Sequence, residues 1–100
     1  MKAETLAVNA LVISETDSVA VAIHEMKVGD KAIFKIEEEI KEISILQDIP
    51  IYHKFATKDM KAGDLVFKYG QVIGQALEDI LAGQHVHTHN VVSIREGIEE

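Results

Sequence analysis

Ala22-Ile23-His24-Glu25-Met26-Lys27-Val28-Gly29 is matched by Ala56-Thr57-Lys58-Asp59-Met60-Lys61-Ala62-Gly63 and again by Ala76-Leu77-Glu78-Asp79-Ile80-Leu81-Ala82-Gly83. The shared pattern is alanine, two variable residues, an acid, Met or Ile, one variable residue, a small apolar residue and glycine. The copies start 34 and 20 residues apart, so they do not form a solenoid of fixed period. They read as one local device used three times: a strand end, a short acid-capped turn, a glycine and a new strand. An Asp or Glu suits the cap of a single helical turn. Glycine suits a position with positive φ. The apolar residue between them points back to the core. A domain built from such corners is all-β and coiled on itself, with short strands and one-turn helical corners.

The flanking sequence agrees. Leu6 to Ser14, the alternating Val19 to Ile23, and Lys31 to Ile36 (Ala32, Phe34 and Ile36 on one face) read as strands. Residues 35 to 43 are ambiguous. Ile36, Ile40 and Ile43 sit at helical spacing among glutamates, and propensity favours a helix. The β-rich surroundings favour a charged hairpin tip, with Lys41 to Leu46 returning as a strand. Pro50 marks a bend. Leu65 to Phe67 and Val72 to Ile73 flank a turn at Lys68-Tyr69-Gly70-Gln71, and His85 to Ile94 reads as the last strand. Arg95 to Glu100 carries no pattern and reads as a frayed tail.

Composition bounds the function. One hundred residues make a single small domain, 1–100. Aromatics are 5 % and tryptophan is absent, whereas Ile and Val together number 23, so the core is aliphatic and favours sheet. The formal charge is −7, and Arg95 is the one arginine. Such a chain is a poor binder of nucleic acid and of anionic membrane surfaces. Absence of cysteine removes thiolate nucleophiles and Cys-based zinc sites and suits the cytoplasm. No apolar run approaches the roughly 20 residues of a membrane span. Neither a Gly-rich phosphate loop nor a Gly-x-Ser-x-Gly elbow is present. A complete, deep active site is hard to fit into this length, which points to a binding module or a subunit of something larger.

Three of the five histidines stand in Gln84-His85-Val86-His87-Thr88-His89-Asn90. On a strand, His85, His87 and His89 share one face, about 6.5–7 Å apart. Imidazoles at that spacing can share a first-row divalent metal. The competing reading is a polar strand face whose histidines meet water or backbone. That reading also covers His24 and His53 taken singly. The acids of the repeats are explained as caps, and Glu37 to Glu39 as a solvated face. Lys54 and Lys68 suit a substrate carboxylate or solvent equally.

Taken in order, Asp48-Ile49-Pro50, His53-Lys54, Lys68-Tyr69-Gly70, Ile73-Gly74, Gly83 and His85-Val86-His87-Thr88-His89-Asn90 resemble the amino-terminal SAF domain of the altronate/galactarate dehydratase family. The resemblance spans roughly residues 8 to 94 and implies a β-clip fold. It implies a lyase that removes water from a sugar acid by β-elimination and uses a divalent metal, typically Fe2+. By resemblance, His87 and His89 would ligate metal. His53, Lys54 and Asn90 would bind substrate. Base and acid remain unassigned. The chain would then be the small subunit, inactive alone, of a pair with a large catalytic subunit. Self-association is left open. Two alternatives stand beside this: the small subunit of a sulfolactate sulfo-lyase, and a non-enzymatic SAF module that binds carbohydrate or acts like a chaperone.

Overall fold

The computed structural model describes residues 8–12 and 14–94. The expected frayed tail, and residues 6, 7 and 13 of the first expected strand, lie outside them. The described residues form nine short strands and no helix: β1 (Ala10–Leu11), β2 (Val19–Ala22), β3 (Lys31–Ile36), β4 (Glu39–Ser44), β5 (Lys54–Ala56), β6 (Leu65–Lys68), β7 (Gln71–Ala76), β8 (His85–Val86) and β9 (Val91–Ser93). The all-β expectation holds, and no helix among these residues is long and apolar enough to cross a membrane. Three antiparallel sheets result, ordered β1-β2-β5-β8, β3-β4 and β6-β7-β9.

The ambiguous glutamate stretch is the hairpin β3–β4, turning at Glu37-Glu38 between the paired Ile36 and Glu39. Tertiary pairing overrides helix propensity here, because Ala32 and Phe34 must be buried on one face of a strand. The β6–β7 hairpin turns at Tyr69 (φ 58°) and Gly70 (φ 77°). Two positive φ values suit the twist of a two-residue hairpin loop. The expected last strand divides into β8 and β9, separated by a turn at residues 87–90.

The corners explain the coiling. Each is a hydrogen-bonded turn of four residues and not a helical turn. Asp30 N–H donates to the Lys27 carbonyl, Asp64 to Lys61 and Gln84 to Leu81, all at 2.9–3.0 Å. Gly29, Gly63 and Gly83 take the third position with φ between 93° and 96°, as a type II turn requires. The sequence pattern pointed to three corners, and among the described residues a fourth locks to one of them. In the fourth, His53 N–H donates to the Pro50 carbonyl, and Tyr52, with φ 69°, stands where the others have glycine.

The four corners lock in two pairs. Met26 and Ile49 exchange both backbone hydrogen bonds, and so do Met60 and Ile80. Gly29 N–H donates to Ile45 and Tyr52 N–H to Ala22; Gly63 donates to Ala76 and Gly83 to Ala56. The acids cap across each pair and not within their own turn. Asp48 accepts from Val28 N–H, Asp79 from Ala62 and Asp59 from Ala82. Glu25 instead pairs with Lys27 Nζ at 3.1 Å.

Each pair buries its own apolar set. Met26 and Ile49 lie with Phe34, Ile45 and Phe55, the two phenyl rings meeting edge to face at 6.5 Å. Met60 and Ile80 lie with Val19, Val66 and Val86. Removing a buried phenylalanine from such a core costs about 3–5 kcal/mol. The halves are tied by Ser18, which exchanges bonds with Phe67, and by Asp17, whose carboxylate accepts from Gly70 N–H at 2.9 Å. Leu46 N–H donates to the Gly83 carbonyl, and here the backbones touch. A Cβ on Gly83 would run into the Ser44 carbonyl oxygen.

Candidate functional site

His53 belongs to the fourth corner, and its position has a local cause. In the other corners the residue that ends the turn caps the N–H that begins it: Asp30 caps Lys27, Asp64 caps Lys61 and Gln84 caps Leu81, at 2.7–2.8 Å. The fourth corner begins with Pro50, which has no N–H to cap. Position 53 is thereby released from capping and carries an imidazole.

The sheet then brings that imidazole to the others. β5 pairs with β8 so that Lys54 faces Val86 and Phe55 faces His85. His53 Nδ1 lies 2.9 Å from His85 Nε2, so one ring donates and the other accepts. The His53 ring also stacks on His87, with centroids 4.8 Å apart. His85 lies 5.6 Å from His87 and 5.5 Å from His89. Four imidazoles therefore form one cluster beside the β5–β8 pair, and exposed His24 is not among them. Burial pushes the His85 pKa down, and the neighbouring imidazoles push it the same way. His85 is thus held neutral at pH 7, able to accept a proton or a metal ion.

The period-two argument reached this cluster by a different geometry from the real one. His87 and His89 sit in the turn at residues 87–90, which lets both rings close on His85. Asn90 builds that turn. Its side chain is only 3 % exposed; Oδ1 accepts from His87 N–H at 3.0 Å, and Nδ2 donates to the His85 carbonyl at 2.8 Å. The structure therefore gives Asn90 the work of setting the histidine turn. The two ring nitrogens brought to 2.9 Å belong to His53 and His85, while His87 Nδ1 lies 3.3 Å from Thr88 Oγ1. Among the described residues, no group of three or more His, Asp or Glu side chains is arranged to hold a metal ion.

Beside the cluster, at the seam of the two larger sheets, a cleft of roughly 310 Å³ is lined by Lys54, Lys68, Ile73, Val86, His87, Thr88, Val91 and Ser93. β9 can line it because Gly74 lets the strand approach; a Cβ there would lie 2.6 Å from the Val92 carbonyl oxygen. Lys54 is half-buried, and desolvation, with the charge of Lys68, pushes its pKa down. Sequence reading had Lys54 and His53 as candidates but not their shared setting. The signal for the fourth corner was present in Asp48-Ile49, which repeats the acid-then-Ile of Asp79-Ile80, but Tyr52 hid it by replacing the glycine.

Residues 8–94 match the family described as the altronate/galactarate dehydratase SAF domain. The chain is 41 % identical over 78 residues to an altronate dehydratase of Escherichia coli (strain K12), covering 78 % of this chain and 15 % of that protein. It is 58 % identical over 43 residues to a (2R)-sulfolactate sulfo-lyase subunit alpha of Paracoccus pantotrophus, covering 43 % of this chain and 64 % of that subunit. A second such subunit alpha, from Chromohalobacter salexigens, is 36 % identical over 59 residues, 59 % of this chain and 63 % of that subunit. The matched region is thus a small part of the dehydratase and somewhat under two thirds of the subunits.

Proposed function

Because the chain belongs to the altronate/galactarate dehydratase SAF-domain family, we propose that it is the small, SAF part of a cytoplasmic lyase that eliminates water from a sugar acid, acting with a large catalytic part. The observation that carries this reading is the cluster of His53, His85, His87 and His89 beside the β5–β8 pair. β-Elimination next to a carboxylate needs a base for the α-proton and an acid for the leaving hydroxyl. His85, kept neutral by its surroundings, accepts a proton; the hydrogen bond to His53 shares the resulting charge between two rings. His87, at the mouth of the cleft, orients the substrate hydroxyls.

Neutral imidazoles suit a first-row divalent ion by chemistry. His87 and His89, the imidazoles of the cluster outside the His53–His85 hydrogen bond, are the residues of this chain that would hold one. Remaining ligands would come from the large part. The ion, Fe2+ by family resemblance, would supply Lewis acidity toward the carboxylate as charge builds there.

The identity to the sulfo-lyase subunits supports a second reading, in which the same cluster serves expulsion of sulfite from (2R)-sulfolactate. One reconstitution tests both. The chain is mixed with its large catalytic partner and assayed on altronate, galactarate and (2R)-sulfolactate. Turnover of a sugar acid only with both components is expected. Turnover of sulfolactate alone selects the second reading. Full activity of the large part without this chain overturns both.

A further inference from the structure

Most lysines with a polar partner in this acidic chain meet an acid. Lys27 pairs with Glu25 and Asp48, Lys41 with Glu39, and Lys61 with Asp79. Lys54 and Lys68 do not. They line the same cleft, Lys68 Nζ lies 4.1 Å over the ring of Tyr69, and no described acid forms an ion pair with either. Two ammonium groups have been brought together on a protein whose formal charge is −7. Two like charges lining one cleft repel each other, and a shared anion relieves that repulsion. The rest of the lining suits one. Ile73, Val86 and Val91 supply apolar walls that strengthen a charge interaction. Thr88 and Ser93 bring hydroxyls that can donate to oxygen.

We propose that this cleft binds the oxyanion group of a small acid between Lys54 and Lys68, with Thr88 and Ser93 as hydroxyl donors. The proposal rests on the lyase reading in one respect: His87 lines the cleft and also stacks in the imidazole cluster, so an anchored acid presents its neighbouring carbons to the histidines. The site accounts for how a protein with a repulsive overall charge holds an anionic substrate. It also makes Lys68, Thr88 and Ser93 specificity-determining residues.

The test is a proton–nitrogen chemical-shift titration of the full chain at constant ionic strength. Sodium D-gluconate is the carboxylate probe, methanesulfonate the sulfonate probe and D-sorbitol the uncharged control. Saturable shifts at Lys54, Lys68, Thr88 and Ser93 with gluconate and none with sorbitol are expected. Two lost charge contacts at about 0.2–1 kcal/mol each predict about twofold to thirtyfold weaker binding in Lys54→Gln/Lys68→Gln. The distant control Lys58→Gln should keep affinity. A saturable response to methanesulfonate alone supports the cleft and identifies its anion as a sulfonate. No saturable shift with either anion, or shifts that survive the double substitution, overturns the proposal. So do shifts that appear only when the large partner is added without acid, which would assign the cleft to a carboxylate of that partner. Turnover that depends on this chain, without anion binding at the lysines, would sink the cleft and spare the lyase reading. Anion binding with a large part that is fully active alone would do the reverse.

Discussion

Three of the four corners end in Gly-Asp or Gly-Gln, and the fourth ends in Tyr52-His53. The backbone hydrogen bonds are the same in all four. What differs is the task of the side chains. In the three, glycine removes the strain of a left-handed backbone and the last residue caps the turn. In the fourth, proline abolishes the need for a cap, tyrosine accepts the strained φ, and the freed position holds an imidazole of the site. The comparison shows how a repeated device acquires chemistry: one copy is relieved of a structural duty by removing the group that required it.

The comparison can be broken most severely at Gly83. Gly83→Ala adds left-handed strain and a collision with the Ser44 carbonyl, and should destabilise by about 3 kcal/mol or more in urea melts. The same alanine at Tyr52 should cost little, because that backbone already tolerates a side chain. Next in size, His53→Ala should leave stability within about 0.5 kcal/mol of the parent. It should lower turnover of the reconstituted enzyme about 100-fold, the usual loss of a proton-transferring group. Unchanged turnover would return the fourth corner to the structural class.

Asp59→Ala removes the cap on Ala82 N–H and should cost about 1 kcal/mol, whereas Glu25→Ala, which caps no partner turn, should cost under about 0.5 kcal/mol. Tyr52→Gly should stabilise by about 0.5–1 kcal/mol, since glycine suits φ 69°. The smallest effect concerns pH. His85 has its folded pKa below the ordinary 6.5, so the unfolded chain binds more protons in that window and stability rises with pH across it. Stability should therefore be full above pH 6.5 and fall as pH drops through the lowered value. In His85→Asn the remaining dependence should be flatter in thermal melts between pH 5 and 7.5.

Much of the architecture was legible because it is local. An acid, Met or Ile and a following glycine mark a corner wherever they occur, and β-branched alternation marks the strands between. The fourth corner was concealed because Tyr52 breaks the one feature, glycine, that announces a positive φ. The histidine segment was misread as continuous strand for a related reason. Period-two spacing of His85, His87 and His89 looks extended, but buried Asn90 closes a turn on the His87 N–H. The meeting of His53 with His85, and of Lys54 with Lys68, was beyond local reading. Both depend on which strands pair or which sheets abut, and no short-range pattern encodes that.

The reciprocal locking of the corners also dictates an order of assembly. The bonds that close them join residues 12 apart at the least (Asp64 to Ala76) and 31 apart at the most (Ala22 to His53). A topology so dominated by distant partners folds on a millisecond-to-second scale and not in microseconds. On a growing chain the first pair can close once residue 53 has emerged, and the second waits for residue 84. β8, which completes the four-stranded sheet and carries His85, comes after both. The histidine cluster thus becomes available only after both corner pairs, with β9 alone still to follow, and a chain halted before residue 85 would have both corner pairs but no site.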